Sequence, residues 1–461
     1  MCKTQNDKIV IDMNNFIEYE IAKRVKEKGG RTFYVGGCVR DQLLGIDNKD
    51  IDIEIHGVDP ETVYNLLKEI GEPLSYGKNF GIYSLKGTNI DIALPRIEKN
   101  TGRGHRDFEV YVDPYLGVTK AIQRRDFTIN GIYKDILSGE IIDPFNGVKD
   151  INNKTIRHIN DNSFIEDPLR VLRAAQFASR FEFNIANETK ELCKTINITT
   201  LSKERVEQET IKALTKGIKP SIFFETLKEL NQLDYFYYEL KQLINLKQNP
   251  IYHPEGDVWN HIMCCLDEAT KYRNMTSDSY KFMLLVLFHD LGKIVSTTID
   301  DKQIHSYNHE TKGEPIIRHA LHRFTDNKDV ISYVINMSLL HMKPNVIYYD
   351  NSPIKTSNKM FYEASEAKDL IYFALVDDFK KDVEEREKFL FDRYKKYQEM
   401  IIKPYVTGDD LINAGFKPSE NFYDALEYAT KLRLAGIEKE EALKCTISYL
   451  NKNMNNKTWF I

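Results

Sequence analysis

The chain has 461 residues, 42% of them hydrophobic and 29% charged, with 64 Lys and Arg against 69 Asp and Glu for a formal net charge of −5. That length predicts two to four domains with substantial cores, and the near-even charge excludes a generally basic coat for nucleic acid while leaving room for a local basic groove. Six cysteines with no C-x-x-C spacing exclude a disulfide scaffold. The opening MCKTQNDK has no apolar core of signal-peptide length, and the longest apolar run, residues 282–288, is far too short to span a bilayer. A cytoplasmic protein with reduced, mostly buried thiols and no membrane partner is expected.

Taken in order, residues 14–29 read as a helix with Phe16, Ile17, Ile21, Ala22 and Val25 on one side. Residues 32–35 and 50–55 read as strands, separated by a glycine turn and a short helix. Asp59 and Pro60 start a helix that ends before Gly71. Residues 90–94 form a third short strand. The polar, glycine-bearing stretch 95–107 reads as a mobile loop, residues 127–133 border a structured element, and DPFNG (143–147) is a turn. Beyond residue 160 the pattern becomes helical. The expected division is a mixed head over 1–154, a helical neck and body over 155–249, a second helical domain over 250–390, and a helical tail over 391–461.

Residues two apart on a strand point the same way, so Asp50 and Asp52 are expected to face one site. Nucleotidyl transfer needs an activated hydroxyl and a neutralised pyrophosphate, and Mg²⁺ held by closely spaced carboxylates serves both needs. Asp91, in NIDIA, has the same strand context and offers a third carboxylate. Gly36 and Gly37 can bring backbone N–H groups to a triphosphate; Arg40 adds positive charge, and Asp41 holds it or a ribose. Arg124 and Arg125 are forks suited to phosphate oxygens. Asp126 orients them or touches the sugar, and Asn130 is a ribose or supporting contact. Asp167 and Arg170 stand at helical i,i+3 spacing, where an ion pair is the plain use. The other use is base reading: the carboxylate accepts from an exocyclic amine while the guanidinium donates to a ring nitrogen or carbonyl. C and A fit that pattern; G and U do not. Arg173 lies one turn further on, and Arg205 with Glu209 reads as helix-locking support for that pocket.

The succession VGGCVRD (35–41), DID (50–52), RRDFTIN (124–130), DPFNGVKD (143–150) with Arg157, EDPLR (166–170) with Arg173, and ERVEQE (204–209) resembles the motifs of the class II tRNA nucleotidyltransferase and bacterial poly(A) polymerase family. The resemblance covers residues 30–215. It implies an α+β chain: a polymerase-β-like nucleotidyltransferase head of five-strand type, then an all-helical neck and body, an HD domain and a helical tail. It implies Mg²⁺ on Asp50 and Asp52 with Asp91 assisting, nucleotide binding by Arg125 and Asp126, and Asp167 with Arg170 as a protein template for C and A. It also implies a flexible base-switching loop bearing Arg96, Lys99, Arg103, His105 and Arg106.

Further on, His261, the pair His289-Asp290, and Asp377 space metal donors over successive helices. A buried hydrogen-bonded His-Asp pair is the simpler alternative. With LGK following and HPEGD (253–257) preceding, the pattern resembles the HD domain of metal-dependent phosphohydrolases. It implies His261, His289, Asp290 and Asp377 as ligands for a second divalent transition metal, with Asp378 the rival of Asp377. His309, His319, His341 and Lys293 are candidates for further ligands or phosphate contacts. YVTGDDLINAGFKP (405–418) resembles the family's tail motif, although SENF (419–422) replaces its usual glycine-rich continuation. The family likeness implies addition of C and A to the tRNA 3′ end from CTP and ATP, without an obligate protein partner. The alternatives are an A-adding enzyme or poly(A) polymerase, and an HD-type phosphohydrolase acting on RNA ends or nucleotides.

Overall fold

The computed structural model describes residues 17–48, 50–75, 81–100, 108–300, 303–402 and 405–456. Among them, those up to Ala213 together with Ile222–Gln232 form one compact unit, and Leu214–Ser221 with those from Leu233 onward form another.

In the first unit, alternating Ile and acidic residues make β2 (Ile51–His56) a strand with one apolar side. Ile53 and Ile55 pack with Ile92 of β5 (Ile90–Ala93) beneath two helices, Ile17–Glu27 and Pro60–Ile70. The first helix contributes Ile21, Ala22 and Val25, and the second Val63, Leu66 and Leu67, the i,i+3,i+4 spacing of an amphipathic face. Asp59 caps the second helix, accepting from the Thr62 N–H at 3.0 Å, with Pro60 in its first turn. The sheet is completed by β1 (Arg31–Val35), β3 (Pro73–Ser75), β4 (Ile82–Leu85), β8 (Tyr133–Asp135) and β9 (Ile141–Ile142), in the order β3-β4-β5-β2-β1-β8-β9. Only β2 and β5 run parallel.

Among the described residues the sheet therefore has seven strands where five were expected; the extra ones are two to four residues long, too short for an alternation to register. Residues 95–107 are also not one loop. Arg96–Asn100 (β6) pairs antiparallel with Phe108–Val112 (β7) as a separate ribbon. Arg103, His105 and Arg106 fall outside the described residues.

Residues 155–213 pack with the head, so contacts do not divide at 154/155. In the second unit the apolar run 282–288 is the buried helix Ser279–Phe288, all seven of those residues lying within the core. No helix among the described residues is long and apolar enough to cross a membrane. The helical succession is interrupted by an antiparallel hairpin, Thr297–Asp300 with Gln303–Ser306, a departure from an all-helical body. The expected boundary at 390/391 falls inside the helix Val383–Ile401. Arg386, on that helix, is fully buried and donates to Asp378 at 3.0 Å, which ties the helix to the body. A separate tail core, with Val406, Leu411, Ala425, Ala429, Ala442 and Leu450, begins after it.

Gly292 lets two helices of the second unit meet: a Cβ there would lie 1.8 Å from the His309 carbonyl oxygen. Gly292→Ala is expected to cost about 3 kcal/mol, the upper range for overpacking, and to lower the thermal midpoint. Gly313→Ala, whose Cβ would stand 3.1 Å from the Gly292 nitrogen, should cost less. Thermal melts of both variants check the order; an unchanged Gly292→Ala midpoint would contradict the packing.

Candidate functional site

Parallel pairing places Asp52 directly beside Asp91. Both line a cleft of about 440 Å³ with Val35, Arg96, Arg124, Arg125 and Arg170. Burial raises the Asp52 pKa; Arg125 opposes that rise, while Asp91 and Asp50 add to it. Asp50 is placed differently from expectation. The strand begins at Ile51, where pairing with β5 starts, and Asp50 precedes it, its N–H bound to Asn48 Oδ1 at 3.0 Å. Its exposed side chain lines a neighbouring cleft of about 540 Å³ with Tyr34, Cys38 and Lys134. Asp50 and the pair Asp52 and Asp91 thus line neighbouring clefts, and their charges bear on one another. Such mutually repelling carboxylates suit a divalent cation.

Five of the residues expected to bind nucleotide belong to one largely buried network. Arg40 donates from Nε and Nη2 to Asp41 Oδ1 at 2.8 and 2.6 Å, and from Nη1 to Asn130 Oδ1 at 2.6 Å. Asn130 donates to Asp126 at 3.0 Å, and Arg173 to Asp126 at 2.7 Å. Arg40 was expected to add charge to the site. Instead it is buried, and a buried guanidinium must be paired. Burial lowers its pKa against the pull of Asp41. Burial works to raise the Asp126 pKa, but Arg173, Asn130 and Arg170 hold it below the usual carboxylate range.

Asp167 is not on the helix that carries Arg170. It is extended, at φ −120° and ψ 99°, because the residue before a proline is driven from helical geometry. The helix runs Leu169–Phe181, and Asp167 accepts from the Leu169 N–H at 3.1 Å. The two side chains make separate bonds. Arg205 Nη2 grips Asp167 at 2.9 and 3.0 Å, while Arg170 donates to the carbonyls of Ser163 and Arg124 at 2.7 and 2.8 Å.

Arg125 is held by residues that the motif analysis passed over. It donates from Nε to the Tyr133 hydroxyl at 3.1 Å and from Nη2 to Glu54 Oε2 at 3.3 Å. Gly36, at φ 66°, admits it: a Cβ there would lie 2.9 Å from Nη1. Glu54 follows Asp52 by two on the same strand, a spacing that places it on the same face.

The second unit gathers its donors from five helix ends. His261 lies on Val258–Ala269, His289 and Asp290 follow Ser279–Phe288, His309 begins His309–His322, His341 follows Lys328–Leu340, and Asp377 ends Ala367–Asp377. Nδ1 of His289, His309 and His341 bonds to the carbonyls of Val286, Ser306 and Ser338, and Nδ1 of His261 to Glu255 Oε1 at 2.8 Å. All four Nε2 atoms are thereby directed inward. Asp377 Oδ1 is 3.2 Å from His261 Nε2 and 3.4 Å from His289 Nε2. Asp290 Oδ1 is 3.3 Å from His309 Nε2, and His309 and His341 Nε2 stand 3.1 Å apart.

Among the described residues, the donor groups that close to within 4.8 Å all lie here: His253, Glu255 and His261; His261, His289 and Asp377; Asp290, His309 and His341. His289 Nε2 is buried without a hydrogen bond of good geometry and faces Asp290 Oδ2 at 3.4 Å, an arrangement suited to ligating a cation. Burial would lower the His289 pKa, but Asp290 and Asp377 raise it to about 9. His341 is pushed down to about 3 by burial and by its neighbours His289 and His309. Two expected alternatives fall away. Asp378 is bonded to Tyr349 at 2.6 Å and to Arg386, and His319 is exposed beside Glu239. Lys293 reaches Asp290 Oδ2 at 2.7 Å.

Residues 32–157 match the family model described as the poly A polymerase head domain. The multifunctional CCA protein of Psychromonas ingrahamii is 38% identical over 271 residues, 57% of this chain and 63% of that protein. The chain thus spans just under two thirds of that relative's length. The multifunctional CCA protein of Tolumonas auensis is 35% identical over 316 residues, 67% of this chain and 74% of its own. In fold, the chain is similar to the Thermotoga maritima CCA-adding enzyme complexed with tRNA, with a TM-score of 0.61 at 22% identity over 96% of this chain and 97% of that one. It is likewise similar to the Bacillus stearothermophilus CCA-adding enzyme in complex with CTP, at a TM-score of 0.63 and 21% identity over 95% and 99%. A strand-rich head followed by a large helical body, together with a curated relative matched over most of its length, fixes the kinship: the chain belongs to the class II CCA-adding enzyme and bacterial poly(A) polymerase family.

Proposed function

We propose that this chain adds C and A, without a nucleic-acid template, to the 3′ end of tRNA from CTP and ATP, releasing pyrophosphate. The observation that carries this reading is the cleft that sets Asp52 beside Asp91 and opposes them with Arg96, Arg124, Arg125 and Arg170. Mg²⁺ held by Asp52 and Asp91, with Asp50 adjoining, would offset phosphate charge and ease deprotonation of the RNA 3′ hydroxyl. Arg125 and the Gly36–Gly37 turn receive the triphosphate. Asp167 accepts from the exocyclic amine of C or A, and Arg205 fixes that carboxylate. Arg170 supplies the complementary donors, while Arg40, Asp41, Asp126, Asn130 and Arg173 hold the turn and the pocket in register. The reading extends to a cytoplasmic location, in keeping with free thiols at the five described cysteines.

The second unit favours a second activity, because the imidazoles of His261, His289, His309 and His341 gather around buried Asp290 and partly buried Asp377. We place a nucleotidyltransferase head at 1–154, a neck and body at 155–249, an HD domain from 250 to 390 that is closed by the helix Val383–Ile401, and a tRNA-holding tail whose core begins at Val406. His261, His289, Asp290 and Asp377 would hold a divalent transition metal, and His309 with His341 a neighbouring position. The reaction class is hydrolysis of phosphoesters at RNA ends or on nucleotides.

Incubation of tRNA lacking its CCA end with CTP, ATP or both, followed by sequencing of the product ends, tests the first reading. Addition of C, C and A with both nucleotides is expected. Addition of A alone after CTP is supplied would assign an A-adding enzyme or a poly(A) polymerase instead. For the second reading, the chain loaded with Ni²⁺ or Mn²⁺ and desalted should retain metal by elemental analysis. His289→Ala should retain less than a fifth as much; equal retention would contradict the assignment.

A further inference from the structure

Arg125 is held in the cleft by side chains that are not those of the recurring motifs. Glu54 is 2% exposed and makes three bonds. Its Oε1 accepts from the Tyr133 hydroxyl at 2.8 Å and faces His56 Nε2 at 2.9 Å, and its Oε2 accepts from Arg125 Nη2 at 3.3 Å. Tyr133 in turn accepts from Arg125 Nε at 3.1 Å, and the guanidinium carbon lies 5.0 Å from the centre of the Tyr133 ring. Two bonds from a planar fork to a fixed acceptor pair leave the guanidinium little freedom to rotate. The edge left over is Nη1, which lies against Gly36, where the strand turns and backbone N–H groups become available. Arg125 remains 23% exposed and lines the cleft.

A carboxylate buried to this degree costs stability unless several partners hold it. Burial would raise the Glu54 pKa, but His56, Arg125 and Tyr133 hold it at about 2, so it is ionised throughout the neutral range. The chain keeps a full negative charge beneath a site that already carries Asp52 and Asp91. A neutral residue of similar shape would avoid that cost if packing were all that mattered. We infer that Glu54 is a positioning residue for nucleotide binding: with Tyr133 it clamps Arg125 so that Nη1 meets the phosphate chain of the incoming nucleoside triphosphate at the Gly36 turn. Glu54 touches neither substrate nor metal in this arrangement and acts only through Arg125.

The inference rests on the nucleotidyl-transfer reading, and the test separates the two. CTP and ATP incorporation into tRNA lacking its CCA end is measured with the full chain, Glu54→Gln, Tyr133→Phe, Arg125→Ala and the double variant Glu54→Gln, Arg125→Ala. Glu54→Gln should raise KM for both nucleotides about ten-fold, the order of one charge-assisted hydrogen bond. Its kcat and its KM for tRNA should change less than three-fold. Tyr133→Phe, which removes one link and leaves Glu54 in place, should raise the same KM by a smaller factor. In the Arg125→Ala background the Glu54 substitution should add nothing, because the residue through which it acts is gone. Multiplying losses in the double variant, a fall in kcat at constant nucleotide KM, or an unchanged KM in Glu54→Gln would overturn the inference. If Glu54→Gln fails to fold, an unchanged nucleotide KM in Tyr133→Phe overturns it. No incorporation by the unsubstituted chain would instead overturn the nucleotidyl-transfer reading.

Discussion

Parallel pairing of β2 with β5 brings two carboxylates, Asp52 and Asp91, side by side at one edge of a cleft. Like charges at that spacing repel, and Asp52 is partly buried, so the arrangement raises its proton affinity. The sheet tolerates the pair because Ile53, Ile55 and Ile92 on the opposite side are locked into the helix-covered core. Burying each such side chain stabilises the fold by about 2 kcal/mol. The apolar face therefore fixes the register, and the register fixes the acidic face. A one-residue slip of either strand would send one carboxylate into the core.

The other charges of the head sort by what surrounds them. Arg40, Asp41, Asn130 and Asp126 form a continuous buried chain ending at Arg173, and its role is to hold the glycine turn, the segment 124–130 and the helix Leu169–Phe181 in one geometry. Arg124, Arg125 and Arg170 line the cleft. Motif spacing alone does not separate these classes, because a guanidinium in an interior network and one facing a phosphate are the same letter in a sequence.

That is also the limit of what was legible beforehand. Asp52, Asp91 and the glycine turn were readable from strand periodicity and from the family motifs, as were the helices whose apolar residues recur at 3.6. The strand expected from residue 50 begins at Ile51, since pairing rather than composition decides where a strand begins. Asp167 was placed on a helix that Pro168 forbids it to join. Glu54 and Tyr133 escape motif reading because they meet through a contact between strands far apart in sequence, although the two-residue step from Asp52 to Glu54 offers a signal. In the second unit, His261, His289, Asp290 and Asp377, the set implied by the HD-domain resemblance, come together from separate helix ends. Only the packing showed that Asp378 is bonded to Tyr349 and Arg386 and that His319 lies beside Glu239.

The most direct measurement of the carboxylate pair is calorimetric binding of CTP to the full chain with and without Mg²⁺, repeated for Asp52→Asn and Asp91→Asn. If the pair anchors the cation beneath the triphosphate, Mg²⁺ will tighten CTP binding to the unsubstituted chain and will cease to do so in both variants. Equal enhancement by Mg²⁺ in all three proteins would contradict the account.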